Sequence, residues 1–313
     1  MLPSLTSPRR PVHTYSIVAR DPMTGDLGCA VQSHWFNVGA IVLWAEPGVG
    51  AVATQSFVEP AYGPQGLARM RAGIDATAAL AELTAADAER EVRQVALVDA
   101  SGGVAAHTGT GCIEAAGHEV GDEFSVQANM MASAAVWPAM ARAYRDGPAN
   151  LDLADRLLAA LAAAQAAGGD FRGEQSAAIL IVDGESTNTP WEATRVDLRV
   201  EDHPDPIGEL TRLLGLQRAY DLMNDGDGAV ATGDWDRALI NYAEAAHRAP
   251  QIVELPFWHA VALVNGGRTD EALPIFADVF AREPRWREAV GRLVRANQLP
   301  DSDALIARIT AAH

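Results

Sequence analysis

Apolar and polar positions in the first two thirds of the chain fall into short blocks of two kinds. "TYSIVARD" and "DLGCAVQSHWF" are strand-like runs split by the Pro and Gly turn "PMTG", which predicts a β-hairpin. "AIVLWA" and "GVGAVATQSF" predict a second hairpin around "EPG". In "GPQGLARMRAGIDATAALAELTAAD", Leu67, Met70, Ile74, Ala78 and Leu80 recur at helical spacing, and Gly73 divides two helices. "REVRQVALVDASGGVAAHTG" returns to strands about a turn at "DASGG", and "DEFSVQANMMAS" reads as another strand. "AVWPAMARAYRDG" and the alanine-rich "LDLADRLLAALAAAQAAGGD" are helices, and "QSAAILIVDG" closes the domain as a strand. Hairpins that feed helices, and helices that return to hairpins, predict an α+β domain of mostly antiparallel sheets covered by helices.

After "VEDHPDPIGE" the pattern becomes wholly helical. The expected division is a domain over 14–200, a Pro-containing linker over 201–216 and a helical domain over 217–313. "GDWDRALINYAEAAHRAP" and "GRTDEALPIFADVFAREP" repeat each other. Gly233 and Gly267, Ala238 and Ala272, Tyr242 and Phe276, and Pro250 and Pro284 are each 34 residues apart. A period of about 34 with small, aromatic and proline positions in this order resembles the tetratricopeptide helix-turn-helix. Small Ala lets two helices approach, the aromatic fills the gap, and Pro ends the second helix. The polar "LMNDGDGAVAT" departs from that pattern. So short an array is expected to pack on the first domain or on a second copy, and the repeats to take a protein partner or form a homodimer.

Charge narrows the partners. With 24 basic and 41 acidic side chains the formal net charge is -17, which opposes nonspecific attraction to nucleic acid or anionic lipid. Residues 1–13 hold three prolines and two arginines without an apolar run of signal-peptide length, and no later stretch is a membrane-span candidate. Cys29 and Cys112 form neither a ligand cluster nor a disulfide framework. A soluble, cytoplasmic protein is expected.

The candidate chemistry lies in polar residues inside apolar strands: Gln32 and Ser33, Thr54 and Gln55, Gln127 and Asn129, Gln175 and Ser176. A buried amide or hydroxyl costs free energy unless hydrogen bonded, so polar pairs on successive strands point to a shared site. "GGDFRGEQS" adds Asp170 and Arg172 between a helix and a strand. Arg172 either recognises a carboxylate through its planar guanidinium or clasps Asp170 to fix the loop. "HTGTG" at 107–111 lacks the Lys-Ser/Thr end of a phosphate loop, and His34, His107, His118 and His203 are scattered. "EDHPDP" reads as a solvated turn, so neither metal nor cofactor is expected.

"TYSIVARDPMTGDLGCAVQSHWFNVGA", "GVGAVATQSFVEPAYGPQGL", "QANMM", "GGDFRGEQSAAILIV" and "DLRVEDHPDP" together resemble a bacterial and archaeal family known only as a domain of unknown function and placed in the N-terminal nucleophile (Ntn) hydrolase superfamily. The resemblance covers about residues 13–215. It implies a four-layer αββα sandwich. It also implies that an N-terminal Thr, Ser or Cys attacks an amide carbonyl with its own α-amine as base. Thr14 matches the residue that starts the family's first strand and is the candidate nucleophile, and Asn129 or backbone amides near Thr54 and Gln55 are candidates to stabilise the oxyanion. Ser33, Gln55, Asp170, Arg172 and Gln175 are the expected substrate-binding residues. The substrate expected is a small amide or peptide-like compound. A working Thr14 must be the first residue, so "MLPSLTSPRRPVH", expected as a disordered tail or propeptide, is either removed, a wrongly assigned start, or a sign that no such chemistry occurs. The alternative is a noncatalytic Ntn-type protein that binds a ligand or scaffolds an assembly.

Overall fold

A computed structural model describes residues 12–148 and 150–313. Residues 1–11, most of the expected tail or propeptide, lie outside the described residues. The chain divides into two compact units, one ending at Thr211 and one from Arg212 to His313.

The first unit is a mixed α and β fold with two sheets. In chain order its elements are β1 (Thr14–Arg20), β2 (Leu27–Ser33), α1 (Gly39–Val42), β3 (Leu43–Glu46), β4 (Gly50–Ser56), α2 (Tyr62–Arg71), α3 (Ala76–Ala86), β5 (Arg93–Asp99), β6 (Val104–Thr108), β7 (Gly117–Gly121), β8 (Phe124–Ala128), α4 (Val136–Asp146), α5 (Leu153–Ala166), β9 (Ser176–Val182) and β10 (Thr194–Val200). Six strands form one sheet in the order β10-β9-β2-β1-β8-β7, and four form the other in the order β3-β4-β5-β6. Every pairing is antiparallel.

Side-chain alternation sets the layers. Along β1, Tyr15 points out to α5, where its hydroxyl donates to Gln165 Oε1 at 2.9 Å. Ser16 points the other way, to Gln55 of the second sheet. Val18 joins Cys29, Val31, Ala51, Ala53, Ala96 and Val98 in an apolar cluster between the sheets. Helices α4 and α5 pack on the outer face of the first sheet, α2 and α3 on that of the second. The close fit explains two glycines: a Cβ on Gly28 would meet Leu153 and Leu157 of α5, and one on Gly63 would meet the Trp44 ring at 2.2 Å. With both faces covered, β1, β2, β4 and β5 are buried almost throughout and read as continuous apolar runs.

Several details differ from the sequence expectations. "AIVLWA" is not all strand, since Gly39–Val42 makes one helical turn before β3. β9 does not close the domain: β10 adds an edge whose Arg195, Asp197 and Arg199 face solvent while Val196 and Val200 are buried. β7, also unanticipated, forms the other edge. Of residues 201–216, expected as a linker, those from Pro206 onward are helical. Val12 and His13, expected in the loose tail, are buried, and Val12 belongs to the inter-sheet cluster.

α6 (Pro206–Thr232) spans the division between the units. The second unit continues with α7 (Trp235–Arg248), α8 (Glu254–Asn265), α9 (Thr269–Arg282), α10 (Trp286–Arg295) and α11 (Asp303–Thr310). Asp234 caps α7 by accepting from Arg237 N, and Ser302 caps α11 by accepting from Leu305 N. The repeated positions recur in place. Gly233 and Gly267 take positive φ before α7 and α9, while Ala238, Ala272, Tyr242 and Phe276 are buried in one core with Phe257 and Phe280. No described helix is long and apolar enough to cross a membrane.

Candidate active site

Thr14 opens a central strand, so neighbours flank it on both sides. It pairs with Ser33 of β2, and its carbonyl accepts from Asn129 N, just beyond β8, at 3.0 Å. Thr14 is completely buried, and its hydroxyl donates to Val12 O at 2.9 Å. Val12 in turn forms a two-way antiparallel bridge with Ser56 at the end of β4: Val12 N donates to Ser56 O at 2.6 Å and Ser56 N to Val12 O at 3.0 Å. Ser56 holds a left-handed backbone (φ +69°), uncommon for a residue other than glycine.

The peptide joining His13 to Thr14 is the focus of the cluster. The His13 carbonyl accepts from the Ser33 hydroxyl in a very short hydrogen bond and from Arg172 Nη2 at 2.8 Å. Arg172 is aimed there by Asp170, which takes Nε and Nη2 at 3.1 and 2.7 Å. Asp170 is itself buried and accepts from the backbone N–H of Arg172 and of His34. Arg172 is thus clasped by Asp170, as one of its two readings has it, while Nη2, shared with Asp170, also reaches a backbone carbonyl. A hydroxyl and a guanidinium on one carbonyl oxygen can stabilise negative charge developing there. At the end of β4, Ser56 N is bonded to Val12 O, and the Thr54 hydroxyl donates to Glu59 O at 3.2 Å.

Behind Thr14 lies a charge-free network between the sheets. Gln55 Nε2 lies near Thr14 O (3.2 Å), Gln127 O (3.3 Å) and Gln94 Oε1 (2.7 Å). Gln94 Nε2 faces Ala128 O, Gly117 O and the Thr108 hydroxyl. Backbone carbonyls can only accept, so these contacts fix which end of each amide carries the nitrogen. Gln94 Oε1 then also accepts from Asn129 Nδ2 at 2.9 Å. Asn129 Oδ1 is left to accept from His13 Nδ1 at 3.3 Å. Burial, with the Arg172 charge beside it, pulls the His13 imidazole below its ordinary value, and the Asn129 oxygen is what calls for a proton on Nδ1. On the other side, Ser125 donates to Gln127 Oε1, Gln127 to Ser16, and Ser16 to Gln55 Oε1.

Of the seven residues singled out from sequence, Thr14, Asn129, Ser33, Gln55, Asp170 and Arg172 share this hydrogen-bonded cluster. Gln175 does not: its amide donates to Asp202 at 3.0 Å, in an adjoining cavity of about 310 Å³ lined by His34, Glu174, Gln175, Asp202, His203 and Pro204. Burial, with Asp205 nearby, raises the Glu174 carboxyl there. Gln32 points to the helix side, where its buried amide has no hydrogen-bond partner among the described residues. Gln94, Ser16, Ser125 and Thr108 were missed. Gln94 carried the same signal as Gln55 and Gln127, one amide beside the apolar run "VALV".

This geometry can be set beside known proteins. No curated protein matches the chain. The crystal structure of protein SPO2555 from Silicibacter pomeroyi is similar, with a TM-score of 0.57 and 33% sequence identity over 64% of this chain and 84% of that one. That structure is described as belonging to DUF1028. The sequence profile of the same family, described as a family of unknown function, matches residues 14–210 and so begins at Thr14 itself. The chain belongs to the DUF1028 family.

Proposed function

We propose that the first unit is an Ntn-type hydrolase of amide bonds with Thr14 as its nucleophile, released by cleavage of the His13–Thr14 bond. One observation carries this reading: the carbonyl of the bond to be cut is held by Ser33 Oγ and Arg172 Nη2. Attack by Thr14 Oγ1 on the His13 carbonyl carbon closes a small ring through Cβ, Cα and N. Ser33 and Arg172, both donors, stabilise the negative charge that develops on the His13 oxygen. The C–N bond breaks, the Thr14 nitrogen takes the hydroxyl proton, and an ester joins His13 to Oγ1. Water then hydrolyses the ester to a His13 carboxylate, a free Thr14 hydroxyl and a free α-amine. With a reference pKa of about 7.7–8.0, that amine can accept a proton near neutrality and activate its own hydroxyl toward a substrate amide.

The layer order of helices, sheet, sheet and helices supports an Ntn-type αββα sandwich. The 34-residue repeat supports a tetratricopeptide-like second unit that takes a protein partner or forms a homodimer. A cytoplasmic location agrees with the charge balance and with the absence of a spanning helix among the described residues. A noncatalytic reading draws on one fact: while Val12 and His13 are attached, Thr14 is closed off and its hydroxyl is tied to Val12. Intact-mass analysis of the parent beside Thr14→Ala separates the two. Loss of residues 1–13 in the parent alone supports self-processing. A full-length chain that hydrolyses amides equally well with Thr14→Ala would falsify the assignment.

A further inference from the structure

Residues 12 and 13 do more than cover Thr14. They occupy its surroundings as an extended strand, and each polar contact they make is with a group that stays behind if they leave. Ser56 would lose partners for both its N–H and its C=O. Ser33 Oγ and Arg172 Nη2 would lose the His13 carbonyl, and Asn129 Oδ1 would lose the imidazole N–H. The Val12 side chain would leave a gap in a cluster that includes Val31, Val38 and Val58. Buried donors and acceptors stripped of partners are costly, so they favour a ligand that restores them all.

Resting on the Thr14 reading above, we infer that the substrate is a peptide bound as residues 12 and 13 are bound. Its scissile carbonyl lies on Ser33 and Arg172. The residue before the scissile bond carries a ring-sized hydrogen-bond donor, a histidine in the template, directed at Asn129 Oδ1. The residue before that is apolar and pairs through its backbone with Ser56. A simple acyl amide has one carbonyl and can engage only Ser33 and Arg172, leaving both Ser56 groups, Asn129 and the apolar gap to water.

The test uses processed protein, shown by intact mass to begin at Thr14, and four coumarin amides. These are N-acetyl-Val-His, the same with the valine nitrogen methylated, N-acetyl-Val-Leu, and acetyl alone. Methylation removes the donor that meets Ser56 O and sets a methyl group in that 2.6 Å contact, so it should lower kcat/KM at least about tenfold. Leucine in place of histidine should cost a comparable factor, and the acetyl amide should be the poorest of the four. An acetyl or N-methyl substrate cleaved as fast as N-acetyl-Val-His overturns the inference and leaves the nucleophile reading standing. So does hydrolysis of none of the four by a protein that has freed Thr14. Hydrolysis that survives Thr14→Ala, or a parent chain that never frees Thr14, overturns both.

Discussion

Replacing Gln94 by leucine removes the amide on which two strands of the network converge while keeping similar bulk. Its Oε1 accepts from Gln55 Nε2 at 2.7 Å and Asn129 Nδ2 at 2.9 Å. Its Nε2 serves Ala128 O, Gly117 O and Thr108. Gln55 keeps two other acceptors, but Asn129 Nδ2 keeps only a 3.4 Å approach to Thr14 O. A buried donor left without an acceptor costs about 1–3 kcal/mol, and the weakened Gln55 and Ala128 contacts bring the expected loss to roughly 3 kcal/mol. For a unit of this size that corresponds to about 6–12 °C in melting temperature. The assay is urea and thermal unfolding of parent and Gln94→Leu, followed by circular dichroism. Gln94→Glu is the second arm: ionised, it presents an oxygen to carbonyls that need a donor, so its loss relative to the parent should be smaller at pH 5 than at pH 8, whereas the Gln94→Leu loss should not change with pH. A Gln94→Leu loss below about 1 kcal/mol would show that the network is not a dry, fully satisfied set of bonds, and the reasoning would fail.

Phe276→Ala should destabilise the second unit by about 3–5 kcal/mol, since Phe276 is fully buried against Phe257 and Phe280. Calorimetry should show one transition lowered and the other unmoved; a joint shift would contradict two separate cores. Gly63→Ala should cost about 1–3 kcal/mol by driving a Cβ into the Trp44 ring, read as a lower urea midpoint, and a neutral result would place that ring elsewhere. Burial lowers His13, His118 and His259 from the ordinary value, so the unfolded chain binds protons first. Their stabilising contribution is complete above the unfolded value of about 6.5 and is lost as pH falls toward the lower folded values. Melting at pH 7.5 and 6.0 should therefore show the lower temperature at pH 6.0, and the reverse order would refute the assignment.

The fold was legible where burial is two-sided. β1, β2, β5 and β9 are continuous apolar runs because helices cover one face and a second sheet the other. β10 was hidden by the same logic turned round: "TRVDLRV" alternates charge with Val and Leu because only one face is covered, and it sits next to a proline-rich stretch. α1 was missed because four apolar residues carry no period that separates a helical turn from a strand. Most of the site was legible because an amide in an apolar strand is costly and therefore conspicuous. Gln175 was conspicuous for the same reason but lies at the mouth of the strand, where Asp202 and solvent satisfy it. Val12 and His13 could not be read. Their sequence has the proline and arginine of a tail just before it, and only the three-dimensional bridge to Ser56 shows them to be part of the interior.

The amides and hydroxyls behind Thr14 have one more consequence. Gln55, Gln94, Gln127, Asn129, Ser16, Ser125 and Thr108 neither gain nor lose protons in ordinary aqueous buffers. A chemist who varies buffer acidity therefore leaves these side chains uncharged, and a proton reaches the inner wall only through the imidazoles bonded to its ends, His13 at Asn129 and His118 at Thr108. Kinetic titration of events at this threonine should resolve few ionisations, each assignable by replacing one residue. A complicated curve with many inflections would mean that the observed event takes place elsewhere in the molecule.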